Sequence, residues 1–201
     1  MGDELEHRDA ARRVRVDAQR NIETLLEAAL AVFASSGVDA PVREIAEKAG
    51  VGVGTLYRHF PQRANLVAAV FRREIDACAD AAPILAAEYE PFEALARWMQ
   101  RYAVFFATKR GLATALHSGN PAFESLPAYF ERRFLPSLRA LLESAANIGA
   151  VRVDIDAEDL LSAVGRLCMS DSDEGAGYAE RMVALLVDGL RYRTDASHAA
   201  S

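Results

Sequence analysis

The run Gly50-Val51-Gly52-Val53-Gly54-Thr55-Leu56-Tyr57-Arg58-His59-Phe60 is the densest concentration of chemistry in the chain. Two readings compete for it. Three glycines at alternate positions imitate a loop that cradles phosphate, but a dinucleotide fingerprint follows a strand and needs a further glycine where Thr55 stands. The other reading is a short helix presenting Val53, Gly54, Thr55 and Arg58 outward, with Leu56 and Phe60 holding it to a core. Small side chains at the exposed start of such a helix allow close approach to the base-pair floor of a DNA groove, which bulky ones would prevent.

No other residues assemble into a catalytic or metal-binding set. His117, within Leu116-His117-Ser118-Gly119-Asn120, has no serine elbow and no evident carboxylate partner. Asp171, Asp173 and Glu174 precede a helical pattern as capping residues do, and the spacing of a calcium loop is absent. Cys78 and Cys168 lie far apart in mostly apolar stretches with no CxxC pair, which argues against both a disulfide framework and structural zinc. No catalytic residue, metal or cofactor is expected, and the chain is not expected to be an enzyme.

A helix carrying Thr55 needs others to hold it, and the apolar spacing supplies them. Ile22, Leu25, Leu26, Ala29, Val32 and Phe33 recur at helical intervals until Gly37. Pro41 opens a short second helix at its first turn, with Ile45, Ala46 and Ala49 inward, and Gly50 closes it. A third runs through Thr55, Leu56 and Tyr57 towards Pro61. A long fourth starts around Leu66 and ends in the Ala-rich stretch before Pro83. Pro91 begins a helix rich in aromatics, and a row from Leu126 to Ala145 makes another, with Pro136 as a bend. Asp156 can cap a helix through Leu160, Val164 and Cys168, and Tyr178 to Leu190 form the last. The alternation Val151-Arg152-Val153-Asp154-Ile155-Asp156 has no partner run and reads as an extended connector. The fold class is all-α: an N-terminal three-helix helix-turn-helix head and a C-terminal helical bundle. The expected divisions are a polar tail over 1–20, the head over 21–67, the bundle over 68–193 and a tail over 194–201.

With 201 residues, 51% hydrophobic and 26% charged, the composition is that of an ordinary globular chain. No stretch approaches the roughly 18 uncharged apolar residues that span a bilayer. Met1 to Arg13 is charged where a signal peptide needs an apolar centre, and Glu6 stands where a myristoylation signal has Ser or Thr, so a cytoplasmic protein without a membrane partner is expected. The net charge of -6 argues mildly against nucleic acid, but its distribution softens that. Through Arg73 there are eleven basic and ten acidic residues, leaving twelve against nineteen beyond, so the head is +1 and the body -7.

The stretch from Ile22 to Leu66 resembles the tetracycline-repressor (TetR) family. The resemblance rests on Ala28-Ala29 with Phe33 and Gly37, then Ile45-Ala46, Ala49-Gly50-Val51, Gly54-Thr55-Leu56-Tyr57 and His59-Phe60. It implies a homodimeric regulator of transcription that binds a double-stranded DNA operator, usually a repressor released by a small-molecule effector. It further implies that Tyr57 and His59 touch phosphates, that Val53, Gly54 and Thr55 meet bases, and that Arg43 contacts backbone or a base edge. Arg63 stands where most members have Lys at the start of helix 4 and takes its phosphate contact. Pro41 replaces a common Thr and Gly52 a common Ser, which shifts weight to Arg43, Arg58 and the tail residues Arg12, Arg13 and Arg15.

The two last helices are expected to dimerise. Val183 and Val187 add a second face to the row Met182, Leu186 and Leu190, and Leu160 and Val164 line the neighbouring helix, with Gly165 and Gly189 permitting close crossing. Trp98, Met99, Tyr102, Phe105, Phe106, Phe130 and Phe134 supply more apolar surface than one seam requires, which fits an effector pocket in the bundle. Arg166, alone on an apolar helix, is its candidate partner for an acidic group. The competing reading is a small-molecule sensor or interaction bundle that does not read DNA.

Overall fold

A computed structural model describes residues 20–107, 119–169 and 176–191, and all regular structure among them is helical. The N-terminal tail with Arg12, Arg13 and Arg15, His117, the Ser170 to Glu174 segment and the C-terminal tail lie outside the described residues. The chain divides into two units, Met1–Arg73 with Gly119–Phe123, and Glu74–Ser118 with Glu124–Ser201. The division falls inside a helix, between Arg73 and Glu74.

In the first unit, α1 spans 20–36, α2 Val42–Lys48 and α3 Val53–His59, and the opening turns of α4, Arg63–Ala79, complete it. Leu25, Ala29 and Val32 of α1 close a core with Ile45 and Ala46 of α2, Leu56 of α3 and Leu66 and Val70 of α4. Each larger side chain buried there contributes roughly 1.5–3 kcal/mol. The turn between α2 and α3 ends α2 in a Schellman motif: the Gly50 N–H donates to Glu47 O and the Val51 N–H to Ala46 O. Gly50 takes φ 68°, a left-handed conformation that a side chain would strain. Pro41 is the N-cap of α2 rather than a residue of its first turn, so its missing N–H leaves the helix intact.

The second unit is built around α6, Pro91–Ala107, which packs against α5, α7, α8 and α9. Here α5 spans Ala81–Glu88, α7 Leu126–Asn147, α8 Ala157–Met169 and α9 Ala176–Gly189. The sequence reads as a fourth helix ending before Pro83 with more helix beyond it, and the structure places α5 there, ahead of the helix that starts at Pro91. Pro83 lies in the first turn of α5, where the N–H that proline lacks would have no intrahelical acceptor, so it is compatible with a helix there. α7 is continuous through Pro136. Asp156 caps α8 as expected, its Oδ1 accepting from the Glu158 and Asp159 N–H groups at 2.8 and 3.0 Å. The segment 151–156 is neither helix nor strand, with bends at 151 and 153, and the Arg152 N–H donates to Leu190 O.

A polar cluster fastens α4 to α7 within this unit. The Tyr129 hydroxyl donates to Asp76 at 2.6 Å, and Arg133 bridges Asp76 and Asp80, also at 2.6 Å. Burial pushes the Tyr129 pKa up first, and the bond to Asp76 adds to it.

Candidate functional site

The head's outward surface is α3, and the turn that precedes it sets its exposure. Val53, Gly54, Tyr57 and Arg58 are exposed, Thr55 and His59 half-buried, and Leu56 is buried beneath them. Tyr57 keeps 48% of its surface open, which a packing tyrosine would not. A Cβ added at Gly52 or Gly54 would meet nothing within 4 Å, so no neighbour in the chain requires glycine at either position. Arg43 is exposed on α2, the helix that supports α3. Val53, Gly54, Tyr57, Arg58 and Arg43 are thus exposed on two helices that pack together, and among the described residues the Arg43 and Arg58 side chains have no hydrogen-bond or ion-pair partner.

Arg63 differs in kind. Its Nε–H donates to Val38 O at 2.9 Å and its Nη2 to Val38 O and Ala40 O, so the guanidinium staples the loop between α1 and α2. Arg73 does similar work one element over, donating to Glu23 O and pairing with Glu27 at 2.6 Å, which ties α4 to α1. Neither role has a sequence signal, because each partner is a backbone carbonyl or a distant residue.

The aromatic set of the second unit divides in two. Trp98, Met99, Phe105 and Phe134 are buried in the core. The Trp98 indole N–H donates to Cys78 O at 3.0 Å, and its ring stacks on Tyr102 with centroids 5.6 Å apart. Tyr102, itself part of that core, lines with the half-buried Phe106 and Phe130 a cavity of about 290 Å³, together with Glu131, Glu158, Ser162, Gly165 and Arg166. The buried Tyr102 hydroxyl donates to Leu161 O at 3.3 Å. Burial above all, and then the nearby Cys78 and Cys168 thiols, drive its pKa far above the usual 10, so it remains a neutral donor. Arg166 is exposed on the cavity wall, as are Glu131 and Glu158.

On α8 and α9 the burial runs opposite to part of the expected interface. Leu160, Val164 and Leu190 are buried in the chain's own core, as are Val183 and Val187. Burial within one chain leaves these side chains no surface to give a partner. Met182 and Leu186 are half-buried, and Leu185, absent from the expectation, is 66% exposed beside them.

Comparison with known proteins gives this geometry a context. Residues 25–70 match the family described as bacterial regulatory proteins, tetR family, and residues 90–192 match the C-terminal domain of SbtR-like transcriptional regulators. The crystal structure of the TetR transcriptional regulator SCO0520 from Streptomyces coelicolor is 36% identical, covers 85% of this chain and 98% of its own, and superposes with a TM-score of 0.71. A TetR transcription regulatory protein from Mycobacterium vanbaalenii is 37% identical over 89% of this chain and 99% of its own, with a TM-score of 0.70. The HTH-type transcriptional regulator SAUSA300_2515 of Staphylococcus aureus is 38% identical over 64 residues, which is 31% of this chain and only 35% of that protein. Among the described residues no helix is long and apolar enough to cross a membrane. From the helix-turn-helix through the helical bundle, the chain belongs to the TetR family of transcriptional regulators.

Proposed function

We propose that the protein is a repressor that binds a near-palindromic operator as a homodimer and leaves it when a small, largely apolar molecule occupies the cavity beside Tyr102. The observation that carries the DNA-reading part is the outward surface of α3, where small residues at the start are followed by exposed Tyr57 and Arg58. A twofold pair of such heads demands half-sites about 34–36 Å apart, or a multiple of one helical turn. Release requires the effector to bind better to the form that cannot span both half-sites, because only differential affinity moves the equilibrium.

Gly54 separates recognition from stability. Gly54→Ala is expected to stabilise the fold by roughly 0.5–1 kcal/mol, since glycine inside a helix is entropically costly and the added methyl meets nothing. The same methyl faces the groove floor, so affinity for an operator selected from random DNA is expected to fall by about tenfold or more. Thermal melting and gel shift read the two effects separately. Unchanged operator affinity for the bulkier Gly54→Leu would remove α3 from the groove and favour a sensor that does not read DNA.

Arg63→Ala is expected to act in two ways. Removing the staple on Val38 O and Ala40 O costs about 1–3 kcal/mol of stability. Removing the charge lowers the slope of log affinity against log salt by about one, alike for all sequences. Arg63→Lys restores the slope but not the two-carbonyl staple, so melting and salt titration together separate the roles. If Arg63→Ala kept both slope and affinity, the phosphate contact would be wrong.

A further inference from the structure

We infer that the ligand of the cavity beside Tyr102 is a small aromatic or aliphatic cation; this rests on the effector reading above and names its chemistry. Three rings, Tyr102, Phe106 and Phe130, line the cavity. Tyr102 is 1% exposed, so the rings open to a ligand are the half-buried Phe106 and Phe130, which meet edge to face at 5.6 Å and lie 5.0 and 6.0 Å from Tyr102. Ring faces attract cations through their quadrupole and offer nothing comparable to anions.

The charges around this wall point the same way. Glu131 of α7 and Glu158 of α8 both line the cavity, against one cation, Arg166. Glu158 and Arg166 are eight residues apart on α8, so their backbones are separated by about 12 Å along the axis at 1.5 Å per residue. Among the described residues none of the three is held in an ion pair. Among the described residues of the cavity, two carboxylates thus stand against one guanidinium. The carboxylate of an acid bound to Arg166 would be repelled by both glutamates and would gain no cation–π attraction from the rings. The volume of about 290 Å³ equals that of roughly ten waters, which suits one ring and a compact cationic head.

The test uses the full-length protein with two probes of similar size, benzyltrimethylammonium and 3-phenylpropionate, followed by calorimetry and by displacement of the selected operator. The cation is expected to bind at least about tenfold more tightly than the anion at low salt. The double variant Glu131→Gln, Glu158→Gln is expected to weaken the cation about tenfold and strengthen the anion, and Arg166→Gln to do the reverse. All three positions are exposed, so these variants keep the fold. Tighter binding of 3-phenylpropionate, binding of neither probe at millimolar concentration, or a cation affinity indifferent to both glutamates would overturn the assignment. Operator release by the anion alone would keep the effector reading while overturning the cation. Carboxylate-dependent binding of the cation without any release would do the opposite.

Discussion

Replacing Leu185 by Glu is expected to leave each chain folded while abolishing dimerisation at micromolar concentration and, with it, tight operator binding. Leu185 is 66% exposed on α9, whose other side is sealed by Ala179, Val183, Val187 and Leu190. A leucine so placed contributes little to its own fold, and its neighbours Met182 and Leu186 extend the same apolar strip. Across a twofold axis the patch meets itself, so one substitution removes two leucines and sets two carboxylates against each other. Burial of each leucine is worth roughly 1.5–3 kcal/mol, which makes the dimer at least about a hundredfold weaker before repulsion is added. Sedimentation would show a monomer, circular dichroism the same helical content with a melt lowered only by the lost association and no longer dependent on protein concentration, and gel shift a loss of the operator complex. A variant that stayed dimeric and kept its operator would place the interface on another face.

The contrast between Leu185 and the residues expected from sequence shows where periodicity runs out. Helix α8 has one apolar stripe, and Leu160 and Val164 lie on it because the stripe is needed to close the chain's own core. Helix α9 is apolar on two sides, and spacing alone does not tell which side turns inward. The choice is made by α6, which α9 packs against most extensively. The head was more legible. Its positive-φ glycine, its short helices and the alternation of buried Leu56 with exposed Tyr57 and Arg58 are local properties, written within a few residues of one another. What the head concealed was the work of Arg63 and Arg73, whose acceptors include backbone carbonyls up to fifty residues away. Helix α5 was hidden for a different reason. Pro83 reads as the end of the fourth helix, although the first turn of a following helix tolerates proline.

The aromatic set was legible as a group and illegible in its division, and a second substitution series exposes the division. Trp98→Ala is expected to destabilise the protein by about 3–5 kcal/mol, a large part of the 5–15 kcal/mol that a folded domain holds in total. Trp98 is fully buried, stacks on Tyr102, meets Phe134 edge to face at 5.9 Å and gives its indole N–H to Cys78 O. Its loss opens a void in the middle of the second unit and withdraws that donor. At 2–4 °C per kcal/mol for a chain of this size, the melting temperature should drop by roughly 6–20 °C. Trp98→Phe keeps a ring but not the donor, and should cost about 1–2 kcal/mol. Phe130 lies half-buried on the cavity wall, so Phe130→Ala should cost less stability than Trp98→Ala while weakening any cavity ligand more than Trp98→Phe does. Thermal melts and ligand titrations on the three variants decide the matter. If Trp98→Phe impaired binding as much as Phe130→Ala at equal stability, the ligand would contact Trp98, and the buried core and the cavity would be one site instead of two.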